Sequence, residues 1–161
     1  METKNEFVQP ASDCEITATR VVNAPRELVY KAWTDPNHLI RWWGPKGFTN
    51  TFKEFDLRPN GKWSFVMHGP DGGHFNNECV FIKSQEPELI EWNHLSDPKF
   101  KVVGSFEDLK DGKSKVQFKM IFDTPEECSR IKSLVEVKNE ENLDKLEKEL
   151  TRMREVRLTA L

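Results

Sequence analysis

Residues 23–45, NAPRELVYKAWTDPNHLIRWWGP, hold two helical periods separated by one Asp-Pro break. In the first, Asn23 or Ala24 is placed to cap and Pro25 suits the opening helical position, where no backbone donor is required. Leu28, Val29, Ala32 and Trp33 then recur at helical spacing until Asp35-Pro36 stops the helix. A second helix runs from Pro36 to about Trp43, with Leu39, Ile40 and Trp43 on its apolar side, and Gly44-Pro45 ends it sharply. Successive helical positions diverge by about 100°, so Trp42 and Trp43 are expected in different surroundings, one packed inward and the other near a mouth or the surface.

On the N-terminal side, CEITATRVV (residues 14–22) sets Ile16, Ala18, Arg20 and Val22 against Thr17, Thr19 and Val21, the alternation of a half-buried strand. On the C-terminal side come strand-like runs punctuated by turn chemistry. They are TNTFKEFDL, the turn RPNG, KWSFVMH, the turn GPDGG, NNECVFIKSQ, ELIEWNHL, FKVVGSFEDL, the turn KDGK and SKVQFKMIFD. Trp63, Phe65 and Met67 share one strand face, and Val116, Phe118, Met120 and Phe122 share another. Sequential hairpins predict an antiparallel sheet with one face covered. The cover is a long final helix. Thr124 is its N-cap, Pro125 its first residue, and Glu127 completes a capping box. Cys128, Ile131, Val135, Leu143, Leu146, Leu150 and Met153 form one stripe along it, into which Asn139 and Asn142 also point.

The 161 residues are read as one domain, a length that buries roughly 70% of the surface the unfolded chain exposes. The 24 basic and 27 acidic residues leave a net charge of −3 with no long basic run, which argues against nucleic acid as a partner. Three widely spaced cysteines without CxxC spacing or a signal segment suggest a reducing, cytoplasmic setting. No apolar run approaches the roughly 18 residues that a bilayer span requires, so no membrane is expected. Residues 1–13 are read as a flexible tail and 152–161 as a helical extension or tail. A charged helix face of this kind fits a monomer or a weak dimer.

The order βαα, six antiparallel strands and a long C-terminal helix on a curved sheet is that of the α+β helix-grip fold. NAPRELVYKAWTDPNHLIRWWGP and DLRPNGKWSFVMHGPDG closely resemble the two signature stretches of AHSA-like proteins, relatives of the C-terminal domain of the heat-shock ATPase activator within the START/SRPBCC superfamily. LDKLEKEL resembles that family's C-terminal helix, and the resemblance covers residues 14–151. It implies a cavity between sheet and helix that in many relatives holds a small apolar or amphipathic molecule. It does not imply one activity, since the superfamily includes lipid carriers, cyclases, hormone receptors and chaperone cofactors. One departure stands out: the Gly-aromatic pair usual before LDKL is replaced here by Lys138 and Asn139.

The expected cavity lining is Trp63, Phe65, Met67, Phe81, Trp92, Phe118 and Met120 from strands, Ile131 and Val135 from the helix, and Trp42 and Trp43 near its closure. About half should touch open space, the rest filling a tapered core. Asn139, with Asn142, either fixes the polar end of a ligand or lies in a solvated kink, KNEEN, between two shorter helices. His68 and His74 flank one turn and make only an incomplete metal site even with Glu78, so no metal and no cofactor are expected. Glu54, Asp56, Glu78 and Glu91 are assigned to the outer sheet face, and Cys79 and Cys128 to the core. No nucleophile elbow, phosphate-cradling glycine loop or HExxH occurs. The leading expectation is binding of a small hydrophobic or amphipathic molecule without chemistry. The alternatives are a chaperone-interacting module, although the chain has no room for the activator's separate N-terminal domain, and a cofactor-independent cyclase or hydrolase.

Overall fold

The computed structural model describes residues 14–159, so the expectation of a tail at residues 1–13 lies outside the described residues. Strand β1 (Glu15–Val22) leads into helices α1 (Arg26–Thr34) and α2 (Pro36–Trp42). Strands β2 (Thr49–Phe55), β3 (Lys62–His68), β4 (His74–Gln85), β5 (Leu89–His94), β6 (Phe100–Lys110) and β7 (Lys113–Phe122) follow, and helix α3 (Pro125–Thr159) ends the described chain. The seven strands form one curved antiparallel sheet in the order β1-β7-β6-β5-β4-β3-β2, so the first strand closes against the last and the other neighbours are hairpins. This is the α+β helix-grip arrangement. No helix among the described residues is long and apolar enough to cross a membrane.

Local chemistry explains the helix boundaries, with one correction. Neither Asn23 nor Ala24 caps α1. Pro25 is the N-cap, held extended at φ −68° and ψ 152°, and its carbonyl accepts the Leu28 and Val29 N–H groups at 3.0 and 3.1 Å. At α2 the Asp35 carboxylate accepts the Asn37 N–H at 2.9 Å, with Pro36 behind it at the first position. At α3 the Thr124 hydroxyl accepts the Glu127 N–H at 3.2 Å.

Helix α3 runs unbroken through residues 138–142. The reading of KNEEN as a solvated kink is therefore wrong: Asn139 and Asn142 are 6% and 5% exposed and sit on the buried stripe. Glu140 stays exposed and Glu141 partly so. Their charge marks the outer side of a continuous helix, because helical residues one apart point in different directions. The helix also passes residue 151 without interruption, and Met153 is still buried.

Arg20 ties this helix to the sheet. It shares the inner face of β1 with Ile16, Ala18 and Val22, and its guanidinium donates to Glu140 Oε1 at 2.7 Å, Asp144 Oδ1 at 2.6 Å and Glu147 Oε1 at 2.8 Å. Burial works against the cation, but the three carboxylates outweigh it and hold its pKa above the ordinary value. All five tryptophans are buried in the core that results. Trp33 packs on Trp42, Phe106 and Phe118 with ring centroids 5.0, 5.5 and 5.6 Å away. Gly104 in β6 makes room for it, since a Cβ there would stand 2.8 Å from the Trp33 ring. Gly104→Ala is expected to cost about 1–3 kcal/mol through overpacking, measured as a lower urea midpoint with an unchanged denaturant slope.

Candidate functional site: a cavity between sheet and helix

A cavity of about 380 Å³ lies between the N-terminal half of α3 and the sheet. Trp43, Phe65, Trp92, Phe118 and Met120 make its inner wall, Phe48, Phe75 and Phe100 its edge, and Ile131, Val135, Lys138, Asn139 and Asn142 its helical roof. Met67 also lines it, next to Gly44. That glycine adopts φ +102° and turns the chain after Trp43, and a Cβ on it would stand 2.8 Å from the Met67 methyl. Asn50 Nδ2 donates to the Trp43 carbonyl at 2.8 Å, and Lys145 Nζ donates to the Phe48 and Pro45 carbonyls at 3.0 and 3.3 Å. The loop 44–48 is thus fastened to β2 on one side and α3 on the other.

Of the residues expected to line the cavity, Trp42, Trp63 and Phe81 do not. Trp42 is fully buried and donates Nε1–H to the Ala32 carbonyl at 2.9 Å, which makes it a clamp between the two short helices. Trp63 stacks on Phe65 with centroids 4.4 Å apart and on Phe81 at 6.1 Å, filling the tapered end of the core behind the cavity. The two adjacent indoles do diverge. Neither reaches the surface, however, because the turn at Gly44 brings Trp43 (8% exposed) over Trp92 and Phe118, at 5.4 and 5.7 Å.

Sequence reasoning missed Phe75, Asn77 and His94 as lining residues. The signal was available: Phe75, Asn77, Cys79 and Phe81 are two apart in β4, as are Trp92 and His94 in β5, so the inner face continues through polar positions.

The polar groups in the wall are few. Asn142 Oδ1 is buried with no hydrogen-bond partner, and Asn139 Nδ2 finds only the weakly accepting Met120 sulfur at 3.3 Å. His94 is stacked on Phe100, with Nδ1 2.9 Å from the Pro98 carbonyl and Nε2 2.7 Å from Asn77 Oδ1. Burial holds the His94 pKa below the ordinary value, outweighing the hydrogen bonds that favour its charged form. The Cys79 thiol is pushed well up by burial and further by the Glu78 charge, so it is no thiolate at neutral pH.

Other candidate groups lie elsewhere. Glu78 accepts from Ser64 Oγ at 2.7 Å, Asp56 pairs with Arg58, and Glu91 lies 3.3 Å from Lys101 and 3.7 Å from Lys83; neither these nor Glu54 line the cavity. Among the described residues Asp97 is the one carboxylate in the lining, and it is exposed. His68 and His74 do meet, Nδ1 to Nδ1 at 2.7 Å, with Thr51 on the other side of His68. Among the described residues no group of three His, Cys, Asp or Glu is arranged to hold a metal.

The His94 environment sets a pH dependence. Its folded-state pKa is below that of the unfolded chain, so as pH falls the unfolded state takes up the proton first. The stabilisation is complete above about pH 6.5 and declines as pH drops towards the folded pKa. Urea unfolding between pH 8 and 5 is expected to show this acid-side loss, and His94→Gln should flatten that part of the slope whatever its effect on the stability at pH 8.

Comparison with known proteins agrees with this architecture. A crystal structure of a protein from Nitrosomonas europaea superposes with a TM-score of 0.81 at 20% identity, covering 89% of this chain and 97% of that one. One from Rhodobacter sphaeroides gives 0.78 at 22% identity, covering 91% and 98%. The solution structure of an AHSA1-like protein from Aeromonas hydrophila gives 0.71 at 20% identity, covering 86% and 93%. At these identities the likeness shows the fold alone. No curated protein matches the sequence. The sequence pattern of the family described as Activator of Hsp90 ATPase homolog 1-like protein matches residues 23–151, and the chain belongs to that family.

Proposed function

We propose that the protein binds a small amphipathic molecule in the cavity under α3 and releases it chemically unchanged. The observation that carries this reading is the Asn142 side-chain carbonyl oxygen, buried and unpartnered in a wall that is otherwise mainly apolar. An unsatisfied buried acceptor costs about 1–3 kcal/mol. A ligand hydroxyl or N–H reaching Asn142 would remove that cost, while its apolar body covers Trp43, Trp92 and Phe118 at roughly 25 cal/mol per Å² buried. The volume of about 380 Å³ suits such a molecule.

The absence of chemistry from this reading rests on the state of the reactive groups. Both ring nitrogens of His94 face protein oxygens, Cys79 is held as a thiol, and the single lining carboxylate among the described residues is exposed. A general base needs a free nitrogen or oxygen within hydrogen-bond reach of the substrate. An exposed patch at Trp42 or Trp43 would favour the chaperone-contact alternative, and both indoles are buried.

Native mass spectrometry of protein purified gently from its own host tests the proposal, followed by denaturing extraction of any co-purified compound. A stoichiometric amphipathic molecule is expected; a clean apo mass would shift weight to partner binding. Asn142→Leu then separates ligand recognition from packing. It should stabilise the empty protein by removing the orphaned acceptor, yet weaken that compound's binding about tenfold or more. Unchanged affinity in both Asn142→Leu and Asn139→Leu would remove the two amides from ligand recognition.

A further inference from the structure

A second concavity, of about 450 Å³, lies beside the loop 44–48. Gly44, Pro45 and Phe48 line the first cavity while Lys46 and Gly47 line this one, so the loop is a wall common to both. The rest of its lining is Arg41 from the last turn of α2 and Lys145, Lys148, Glu149 and Arg152 from α3. Five cations converge on one depression in a chain whose net charge is −3.

Only the charge of Arg152 is cancelled locally. Among the described residues Glu149 is the only carboxylate in the lining, and it is already bound by Arg152 at 2.7 and 3.0 Å and by His38 Nδ1 at 2.8 Å. Among the described residues, Arg41, Lys46, Lys145 and Lys148 make no ion pair. Lys145 is half-buried with its ammonium fixed on two backbone carbonyls, a cation held in place without a counter-charge. The acids of this stretch of α3 turn the other way: Glu140, Asp144 and Glu147 all go to Arg20 on β1. Glu141, outside the lining, accepts the Lys46 backbone N–H at 3.2 Å. A position in the last helical turn gives Arg41 a dipole-based reason to be cationic, but Lys46 has none, being outside any helix.

Among the described residues the lining has no aromatic or aliphatic side chain besides these cationic stems, so none of them would stack a base or anchor an apolar peptide side chain. Recognition there is by charge, with Arg forks and Lys point charges suited to phosphate oxygens. We infer that this depression is a binding site for a soluble, multiply charged phosphate group, as in a diphosphate or triphosphate compound, separate from the cavity under α3. The inference stands independently of what that cavity holds.

Inorganic pyrophosphate is the probe. Titrated into the full chain at low salt and followed by backbone amide shifts, it should give saturable changes confined to residues 41–47 and 145–152, with affinity falling steeply as salt is raised. Arg41 and Lys148 are exposed, so R41Q/K148Q should fold normally and bind pyrophosphate at least tenfold more weakly; the single variants serve in its place if the double variant does not fold. Scattered or non-saturating shifts, or equal affinity in the variants, would overturn the assignment. Retention on vesicles containing a phosphoinositide, without any binding of free pyrophosphate, would overturn it as well and assign the patch to a lipid surface.

Discussion

The molecule depends on the way α3 is packed closely at its two ends and only partly between them. At the N-terminal end Cys128 is buried and Thr124 caps the first turn; from Leu143 onward, Leu146, Leu150 and Met153 are pressed into the core. Between them Ile131 and Val135 are only partly buried, and Leu134 and Val137 face solvent. A helix is stiff enough to bridge such a gap without sagging, because its own hydrogen bonds satisfy the backbone. The space under the bridge is the cavity. Arg20 keeps the bridge in register by gathering three carboxylates spread over two turns of α3. Each of those carboxylates is about half exposed, so the individual pairs contribute little, and what the cluster supplies is mainly position.

The same helix organises the charge of the molecule. Its C-terminal half carries acids on the side facing β1 and cations on the side facing α2 and the loop 44–48, with the leucine stripe between. Lys145 belongs to both regions of interest. By donating to Pro45 and Phe48 it fixes the loop that borders the cavity, and it also lends its charge to the basic depression. Burial holds its pKa below the ordinary lysine value, the cost of fastening the loop with an ammonium rather than a neutral donor.

Asn139 and Asn142 interrupt the apolar stripe of α3 with two buried amides. An apolar pair at these positions would continue the stripe and fill the gap, and it would avoid leaving Asn142 Oδ1 without a partner. A local rule broken at a buried position, next to open space, is the kind of violation that binding sites carry. This makes the amide pair, rather than the tryptophan pair, the more informative feature of the chain.

The sequence by itself determined the elements and the faces. Proline and aspartate punctuation delimited α1 and α2, period-two alternation gave the strands, and the capping box with its leucine stripe gave α3, because these signals act between residues close in the chain. It also separated Trp42 from Trp43 in direction. Depth was decided only by the tertiary structure. Phe65 lines the cavity while Trp63 and Phe81 lie behind it, although all three are on inner strand faces, because the curvature of the sheet sets the distance to α3 and periodicity carries no such distance. Whether KNEEN bent or continued was equally a matter of what lay beneath it. The basic depression was invisible for a related reason: Arg41 and Lys46 are far along the chain from Lys145, Lys148 and Arg152, and only the packing of α2 and the 44–48 loop against α3 brings their charges together.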